Sequence, residues 1–327
     1  MTISARQATS TGRVKPQQGG TVAQYLNGRH SDKTVNAFLA AALSDNTLRA
    51  YRADLSHFLA WGGKIPATPA TVARYLAQHA TILSPGTLSR RLIAIDRAHG
   101  AQGLASPTHC ELVKATLSGI RRTRTSAPRQ AAPLLKNDVV QMARGLTGMR
   151  GKRDRAMLLI GFASALRRSE LVALDVEDVS FVTEGLVIRL RRGKTDQEGL
   201  GRNIAIPYLK ATRNCPCRAL QAWLNASGIA EGALFRRFNR YDQMLPGRLS
   251  AESMSLVVKD RVAAIGLDPA LYSGHSLRAG FVTSAARAGA STTSIRAQTG
   301  HKSDAMLQRY IRDSQIFAAN PNKSIWR

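Results

Sequence analysis

The chain has 327 residues, of which 44% are hydrophobic, so it is long enough to form two domains that each bury a core. Lysine and arginine number 47 against 21 acidic residues, and the resulting net charge of +26 predicts a polyanionic partner. The longest apolar stretch, 156–166, is shorter than the roughly 18 residues of a membrane-spanning helix, and three cysteines are too few for a disulfide framework. The composition therefore favours nucleic acid over a membrane and predicts a cytoplasmic, nucleoid-associated protein.

The amino-terminal stretch differs in composition from the rest of the chain. The first 31 residues contain no acidic residue and are rich in serine, threonine, arginine and glycine. We predict a disordered basic arm over 1–20, a kind of segment that commonly touches the DNA backbone.

Residues 21–122 carry helical periodicity throughout, which predicts an all-helical domain. Ser44 or Asn46 can cap one helix, and Thr68 and Ser84, each followed by proline, mark the starts of two more. In the helix after Ser84, three arginines are expected on the face turned away from the apolar residues: Arg90, Arg91 and Arg97. That face could lie along phosphates, although an ordinary solvated surface is the alternative.

Residues 123–133 are basic, polar and broken by prolines, which is typical of a linker between domains. The linker and the helix before it supply further candidate DNA contacts, namely Arg121, Arg122 and Arg124. The pattern changes beyond this point, so we place a second domain at 134–312 and a short tail at 313–327.

The second domain combines helices with a small sheet. Helical patterns cover 136–146 and 153–165, and alternating apolar residues at 186–190 predict a strand. A turn at 193–196 and a returning strand at 204–207 would place Lys194 at the tip of a hairpin. Cys215 and Cys217 could suggest zinc, but two thiolates make a poor site, and we predict a helix start with Pro216 in its first turn. The fold class is therefore mainly α with a small β-sheet, α+β.

The second domain contains five cationic or histidine residues and a tyrosine whose spacings along the chain suggest a shared site. The candidate catalytic set is Arg167, Lys194, His275, Arg278, His301 and Tyr310. A helix start would present His275 and Arg278, three residues apart, on one face. His301 follows a glycine and lies nine residues before Tyr310, about two and a half helical turns. A nucleophile served by this many cations indicates phosphate chemistry.

Each residue type suits a step in the attack of a phenol on a phosphodiester. Arg167 and Arg278 could clamp the nonbridging oxygens, on which negative charge develops, and His301 could donate a further hydrogen bond. The leaving 5′ oxygen needs a proton, which Lys194 could deliver as a general acid.

Two roles stay open at this point. His275 titrates near neutrality, so it could accept the proton of Tyr310 or hold the phosphate. Glu170, three residues after Arg167 on a predicted helix, could orient His275 or an arginine. Other tyrosines are weaker candidates for the nucleophile, since Tyr51 and Tyr75 fall on apolar helix faces.

Taken together, the motifs resemble a known family. They are Ala-Leu-Arg-Arg-Ser-Glu-Leu from 165, Gly-Lys-Thr from 193, Gly-His-Ser-Leu-Arg from 274, Thr-Gly-His from 299 and Tyr-Ile-Arg from 310. In this order they resemble the tyrosine recombinases, or phage integrase family, with its Cre-like and Xer-like site-specific recombinases. His301 stands where Cre-like members carry tryptophan. Arg168, a further candidate DNA contact, lies where many members have an apolar residue.

The resemblance implies an architecture and an activity. An all-helical core-binding (SAM-like) domain at 21–122 and a catalytic domain at 134–312 would close as a clamp around DNA. Four protomers would act on two double-stranded sites with inverted repeats, through a 3′-phosphotyrosyl intermediate and a Holliday junction. The tail would dock on a neighbouring protomer or on its own domain, and an accessory DNA-binding protein is a further possible partner. No metal, ATP or other cofactor is implied.

The family performs integration, excision and the resolution of plasmid dimers or transposon cointegrates, and the sequence does not choose among these tasks. A type IB topoisomerase shares much of the catalytic set, but the amino-terminal helical domain and the apolar tail favour a recombinase. A noncatalytic DNA-binding protein on the same scaffold is the third hypothesis, and the complete catalytic set argues against it.

Overall fold

The computed structural model describes residues 42–124, 131–191, 201–301 and 322–325, together with Thr34, Phe38 and Leu307. The chain divides into two compact units, Met1–Pro128 (unit 1) and Arg129–Arg327 (unit 2). Over the described residues it is mainly helical with two small antiparallel sheets, so the predicted α+β class is confirmed. Within the ranges just given, no helix is long and apolar enough to cross a membrane.

The described part of unit 1 is all helical. Its helices are α1 (Asp45–Ala60), α2 (Pro69–His79), α3 (Pro85–Gly100) and α4 (Glu111–Thr123). The hydroxyls of Ser44, Thr68 and Ser84 each accept a hydrogen bond from the backbone N–H three residues later. Each such cap stabilises its helix by about 1 kcal/mol, because it satisfies a donor that the helix leaves unpaired. The helix starts predicted after Thr68 and Ser84 are confirmed, and Ser44 rather than Asn46 caps α1.

Aromatic and aliphatic side chains from all four helices form the core of unit 1. Tyr75 lies at its centre, with the rings of Phe58 and Trp61 each 5.1 Å away in edge-on contact. Fully buried aliphatic residues surround this cluster, among them Leu55, Leu76, Leu88 and Ile95. Burial of each large apolar side chain contributes about 1.5–3 kcal/mol, so this core is the main source of stability in unit 1.

A polar network crosses the same core and corrects one sequence-based expectation. Arg91 is only 8% exposed, and its Nη1 lies 2.7 Å from both Tyr75 Oη and His57 Nδ1. The buried Asp54 carboxylate accepts two hydrogen bonds from Arg90, at 2.6 and 3.0 Å, and lies 3.6 Å from Arg91 Nε. The expectation that Arg91 lies on the outer face of its helix is therefore wrong. Its charge is tolerated inside because Asp54 compensates it and Tyr75 accepts a hydrogen bond from it.

Unit 2 contains most of the secondary structure. Its helices are α5 (Lys136–Met142), α6 (Gly148–Ser164), α7 (Arg168–Ala173), α8 (Pro216–Ser227), α9 (Ala251–Ala264), α10 (His275–Arg287), α11 (Thr292–Thr299) and α12 (Asn322–Ile325). Helix α6 is buried on nearly every side, since it packs against α8 and α10 and contributes Met157, Leu158 and Ile160 to the core. Helix α8 begins at Pro216 with Cys215 as its cap, which confirms the predicted helix start.

The first sheet of unit 2 contains the predicted strands. Its order is β1 (Val179–Val182), β2 (Gly185–Leu190) and β3 (Arg202–Pro207), all antiparallel. Leu186 pairs with Ile206 and Ile188 with Ile204, and all four side chains are buried. A second hairpin, β4 (Arg236–Phe238) and β5 (Met244–Arg248), was not predicted, because such short strands rich in arginine give no apolar alternation.

The chain enters unit 2 across the first turns of α10. The backbone N–H of Ala132 donates to Leu271 O at 2.9 Å, and that of Leu134 donates to Ser276 O at 3.0 Å. Gly280 permits this close approach, because a Cβ added there would lie 1.6 Å from Leu134 O. The entering segment is therefore hydrogen-bonded to Leu271, just before α10, and to Ser276 in its first turn.

Candidate active site

Arg167 lies at a sharp turn between two helices. Helix α6 ends at the buried Ala165, whose φ of 51° is left-handed, and Arg167 then caps α7. Glu170, only 6% exposed, accepts a hydrogen bond from the Arg167 backbone N–H at 2.9 Å and another from Arg167 Nη1 at 2.5 Å. Of the two orienting roles that the sequence left open for Glu170, the structure places its carboxylate on this arginine.

Arg278 lies on α10 and is buried against the same turn. It is 2% exposed, its Nη1 donates to Ala165 O at 2.6 Å, and its Nη2 lies 3.2 Å from His301 Nε2. The left-handed turn thus presents Arg167 and, through the carbonyl of Ala165, also fixes the second guanidinium. Residues more than 100 positions apart in the sequence are brought together in this way.

The hydrogen bonds of His301 assign its tautomer. Because an arginine N–H can only donate, His301 Nε2 accepts from Arg278, and the ring proton lies on Nδ1. That Nδ1 is 2.7 Å from Thr299 Oγ1, whose own proton goes to Ile295 O at 2.8 Å. Burial, followed by the charges of Arg278 and Arg167, lowers the pKa of His301 to about 4. The ring is therefore neutral at pH 7 in this structure.

His275 begins α10 at the edge of the same pocket. Its backbone N–H donates to Ser273 Oγ at 3.2 Å, which helps to cap the helix. Although the residue as a whole is exposed, desolvation of the ring by surrounding atoms lowers its pKa, and the charges of Arg278 and then Arg167 lower it further. His275 is consequently neutral at pH 7 and able to accept a proton.

The four described members of the catalytic set therefore converge. Arg278 contacts both the Ala165 carbonyl, two residues before Arg167, and the His301 ring, and it lies one helical turn after His275. Desolvation is the main reason why the pKa values of both histidines are lowered, and the charges of Arg278 and Arg167 lower them further. Two guanidinium groups beside two neutral imidazoles favour an anion with several oxygens, such as a phosphate.

Arg202, at the start of β3, belongs to the same neighbourhood and was missed from the sequence. Its guanidinium donates to backbone carbonyls at the end of α11, and burial lowers its pKa while Glu170 and Arg167 act on it electrostatically. A signal for it existed, since Arg202 shares the inward face of β3 with Ile204 and Ile206 by the two-residue period of a strand.

Two members of the predicted set, Lys194 and Tyr310, lie outside the described residues. Their roles therefore rest on the sequence and on the family.

The candidate DNA-contact arginines of unit 1 fall into different environments. Arg97 is exposed, with its guanidinium carbon 5.6 Å from the centre of the Tyr51 ring, and Arg122 is also exposed. Arg121 is exposed and donates to Ser89 Oγ at 2.9 Å. Arg124 instead donates to two carbonyls of its own unit, at the end of α2, so it has a local structural use.

In unit 2, Arg168 is exposed on the first position of α7, and its Nη1 donates to Ser255 Oγ on α9 at 3.0 Å. A Cβ added at Gly274, just before His275, would lie 3.0 Å from Arg168 Cβ. Arg168 therefore borders the pocket at its exposed rim.

Comparison with known proteins agrees with the fold and the pocket. The model of the phage integrase family matches residues 134–315, which is over half of the chain. An integrase/recombinase XerD homolog from Selenomonas ruminantium is 38% identical over 292 residues, covering 86% of each chain. The chain therefore belongs to the phage integrase family, the tyrosine recombinases. Within that family it is an enzyme of site-specific recombination. It is also similar to a tyrosine recombinase XerD from Mycobacterium tuberculosis, with 27% identity over 317 residues that cover 89% of this chain and 93% of that one.

Solved structures share the fold at low sequence identity. The XerH site-specific recombinase bound to a palindromic difH substrate, a post-cleavage complex, has a TM-score of 0.65 at 18% identity and covers 97% of this chain and 91% of that one. Lambda integrase residues 75–356 bound to DNA have a TM-score of 0.60 at 18% identity and cover 90% and 97%. These similarities extend over both units.

Proposed function

We propose that this chain cuts and rejoins duplex DNA at specific sites, with Tyr310 as the nucleophile. The observation that supports the proposal most directly is the convergence of Arg167, His275, Arg278 and His301 in one electropositive pocket. Membership of the tyrosine recombinases supplies the reaction class and the position of the tyrosine in the sequence.

In the first step, the Tyr310 oxygen attacks the scissile phosphorus, and the bond from phosphorus to the 5′ oxygen breaks. Negative charge develops on the nonbridging oxygens, where Arg167 and Arg278 bind it through pairs of N–H donors. The products are a 3′-phosphotyrosyl bond and a free 5′ hydroxyl. That hydroxyl on a partner strand later attacks the phosphotyrosine, so one phosphoester replaces another and no cofactor is consumed.

Proton transfers accompany both bond changes. His275 is neutral at pH 7 because its pKa is lowered, so it accepts the proton that Tyr310 loses. Lys194 protonates the leaving 5′ oxygen.

His301 changes partner during the reaction. In the structure its Nε2 accepts from Arg278, and it becomes a donor to the phosphate only after taking up a proton. An anion beside the ring raises the pKa of His301, so phosphate binding favours that uptake.

The assembly proposed for this chain is based on DNA complexes of similar proteins. The XerH complex contains a palindromic DNA substrate, and a lambda integrase structure is a dimer bound to a core site. We assign to this chain a clamp of residues 21–122 and 134–312 around each half-site, and a tetramer that passes through a Holliday junction. The proposed phosphate contacts are the exposed candidates Arg90, Arg97, Arg121, Arg122 and Arg168. It works in the cytoplasm on a mobile genetic element, by integration, excision or cointegrate resolution, with or without an accessory DNA-binding protein.

The tail over 313–327 is assigned to an apolar groove on a neighbouring protomer. Unit 2 carries a groove of about 620 Å³ lined by apolar side chains of α6, α10 and α11, including Phe162, Phe281 and Ile295. Ile325 on α12 is 69% exposed, so it has apolar surface to bury.

The test is a suicide substrate, in which cleavage releases a short oligonucleotide and traps the protein on DNA. Inverted repeats of roughly 10–13 base pairs in DNA next to the gene supply candidate half-sites, because half-site symmetry mirrors protein symmetry. Wild-type protein is expected to form a covalent adduct and a Tyr310→Phe variant none. An adduct formed by that variant would refute the assignment of the nucleophile.

The same preparation separates the alternatives. Relaxation of a supercoiled plasmid that lacks any target site, by protein in monomeric form, would indicate a type IB topoisomerase. Binding without cleavage at every candidate site would indicate a noncatalytic DNA-binding protein.

A further inference from the structure

Arg202 makes an unusual set of contacts for a residue at the start of a strand. Its Nη1 donates to the carbonyl oxygens of Gln298 at 2.7 Å and Ala297 at 3.3 Å, and its Nη2 donates to Thr299 O at 3.2 Å. These are the last three residues of α11. A positive charge at a helix carboxyl end is favourable, because the last carbonyls have no partner within the helix.

The turn that Arg202 holds leads directly to His301. Gly300, whose φ of 67° is left-handed, caps the carboxyl end of α11. A Cβ added at Gly300 would lie 2.9 Å from the Arg202 guanidinium carbon, so the guanidinium packs closely against this turn. Thr299, whose carbonyl Arg202 binds, also holds the His301 ring through its hydroxyl at 2.7 Å.

The same residue connects two catalytic segments through the backbone. Arg202 is the first residue of β3, and the segment 192–200 before it contains Lys194. Its side chain reaches the turn before His301, which precedes Tyr310 in the chain. One guanidinium thus ties the strand that follows the Lys194 segment to the turn that carries His301.

We infer that Arg202 is a positioning residue for the cleavage reaction, which orients His301 toward the scissile phosphate by fixing the Thr299-Gly300 turn. The inference rests on the proposed function. It predicts a loss in the chemical step rather than in DNA binding, because Arg202 is committed to backbone carbonyls. A purely structural cap would instead lower stability and leave the rate of properly folded protein unchanged.

The experiment compares Arg202→Gln and Arg202→Lys with Arg189→Gln. Arg189 is a matched control, because it is exposed on β2, pairs with Asn203 beside Arg202, and loses the same charge. For each protein, the single-turnover rate of suicide-substrate cleavage and the DNA dissociation constant are measured at a temperature where circular dichroism shows a folded protein.

Arg202→Gln is expected to slow cleavage by about 10- to 100-fold, because a displacement of a catalytic group by about 1 Å can reduce the rate that much. The DNA dissociation constant should change by less than about threefold. Arg202→Lys keeps the charge and some of the hydrogen bonds, so its rate should lie between those of Arg202→Gln and wild type. A rate for Arg202→Gln within threefold of wild type, or an equal loss in Arg189→Gln, would overturn the inference. If Arg202→Gln fails to fold, a wild-type rate for folded Arg202→Lys would overturn it too, because a flexible amine cannot reproduce the three-carbonyl geometry.

A second readout needs no activity. Histidine NMR titration of the free protein should show the pKa of His301 rising from about 4 toward 6.5 in Arg202→Gln, because the loosened turn admits water and one positive charge is lost. An unchanged titration would contradict the positioning role. If wild-type protein forms no adduct, the proposed function fails on its own while this titration still tests the contact.

A Gly300→Ala variant tests the same turn from its other side. Its loss of cleavage rate should be smaller in the Arg202→Gln background than in wild type, because the two residues are in contact.

Discussion

Glu170→Gln tests the active-site geometry with a change of one charge and almost no change in volume. In the structure, one carboxylate oxygen accepts from the Arg167 backbone N–H and the other from Arg167 Nη1. Glutamine offers a single acceptor and an NH₂ group, so one of these two donors must lose its partner.

The magnitudes follow from that lost hydrogen bond. A hydrogen bond to a charged group contributes about 1.5–3 kcal/mol, so the free energy of unfolding of unit 2 should fall by about 2 kcal/mol. Freed from Glu170, the Arg167 guanidinium is no longer oriented, and cleavage should slow by about 10- to 100-fold. DNA binding should move the other way and tighten by roughly three- to tenfold, because a negative charge beside the phosphate site is removed.

Unfolding is measured by urea denaturation and tryptophan fluorescence in a Trp61→Phe, Trp326→Phe background, so that Trp223, buried in unit 2, is the reporter. Single-turnover cleavage and a DNA titration are measured at fixed salt. Glu184→Gln is the control, since Glu184 is exposed near β1 and β2 and carries the same charge. Cleavage by Glu170→Gln at the wild-type rate would refute the claim that this carboxylate orients Arg167. Weaker DNA binding would refute the electrostatic part.

Three further predictions concern proton transfer, packing and DNA contact. The pKa of His275 is lowered from the 6.5 of an ordinary histidine, mainly by desolvation, so the cleavage rate should reach half of its plateau at a pH below 6.5; a midpoint near pH 7 would contradict this role. Gly280→Ala should destabilise unit 2 by about 1–3 kcal/mol in urea denaturation, because the added Cβ would clash with a backbone oxygen. Gly119→Ala is the control: its Cβ would have open space around it, so it should stabilise unit 1 by about 0.5–1 kcal/mol. Arg91→Met should destabilise unit 1 while leaving the salt dependence of DNA binding unchanged, whereas Arg122→Ala should reduce the slope of log affinity against log salt by about 1.

Much of the fold was accessible from the sequence because local rules applied. Serine or threonine followed by proline marked the starts of α2 and α3, and the alternation of Leu186, Ile188 and Leu190 identified β2. The hairpin of β4 and β5 was not predicted, because its pairing depends on tertiary contacts rather than on a two-residue apolar period.

Arg91 illustrates how a residue type can mislead. It is three residues after Leu88 and four before Ile95, so helical periodicity places it on the buried face. The expectation instead grouped it with Arg90 and Arg97 on the opposite face, which misassigned its position in the helical period. Its compensation by Asp54 of α1 and Tyr75 of α2 is a tertiary arrangement that no local pattern encodes.

The active-site residues were recognised by type and order, whereas their supports were not. The motifs named Arg167, Arg278 and His301, but the carbonyl of Ala165 that fixes Arg278 comes from a left-handed turn of a nonglycine residue. The strand period placed Arg202 on the inward face of β3, but its partners could not be predicted, because they are backbone atoms of α11 and backbone acceptors leave no trace in a sequence.

The two hydrogen bonds that attach the entering segment at the start of α10 have a mechanical consequence. Polypeptide arriving from unit 1 reaches the hydrogen bonds of Ala132 and Leu134 before any helix of unit 2. A pulling force along that polypeptide is therefore borne first at Leu271, four residues before His275, and then at Ser276 in the first turn of α10, the helix that also carries Arg278. Tension between the two units would thus act on the catalytic helix before it reaches the rest of the core.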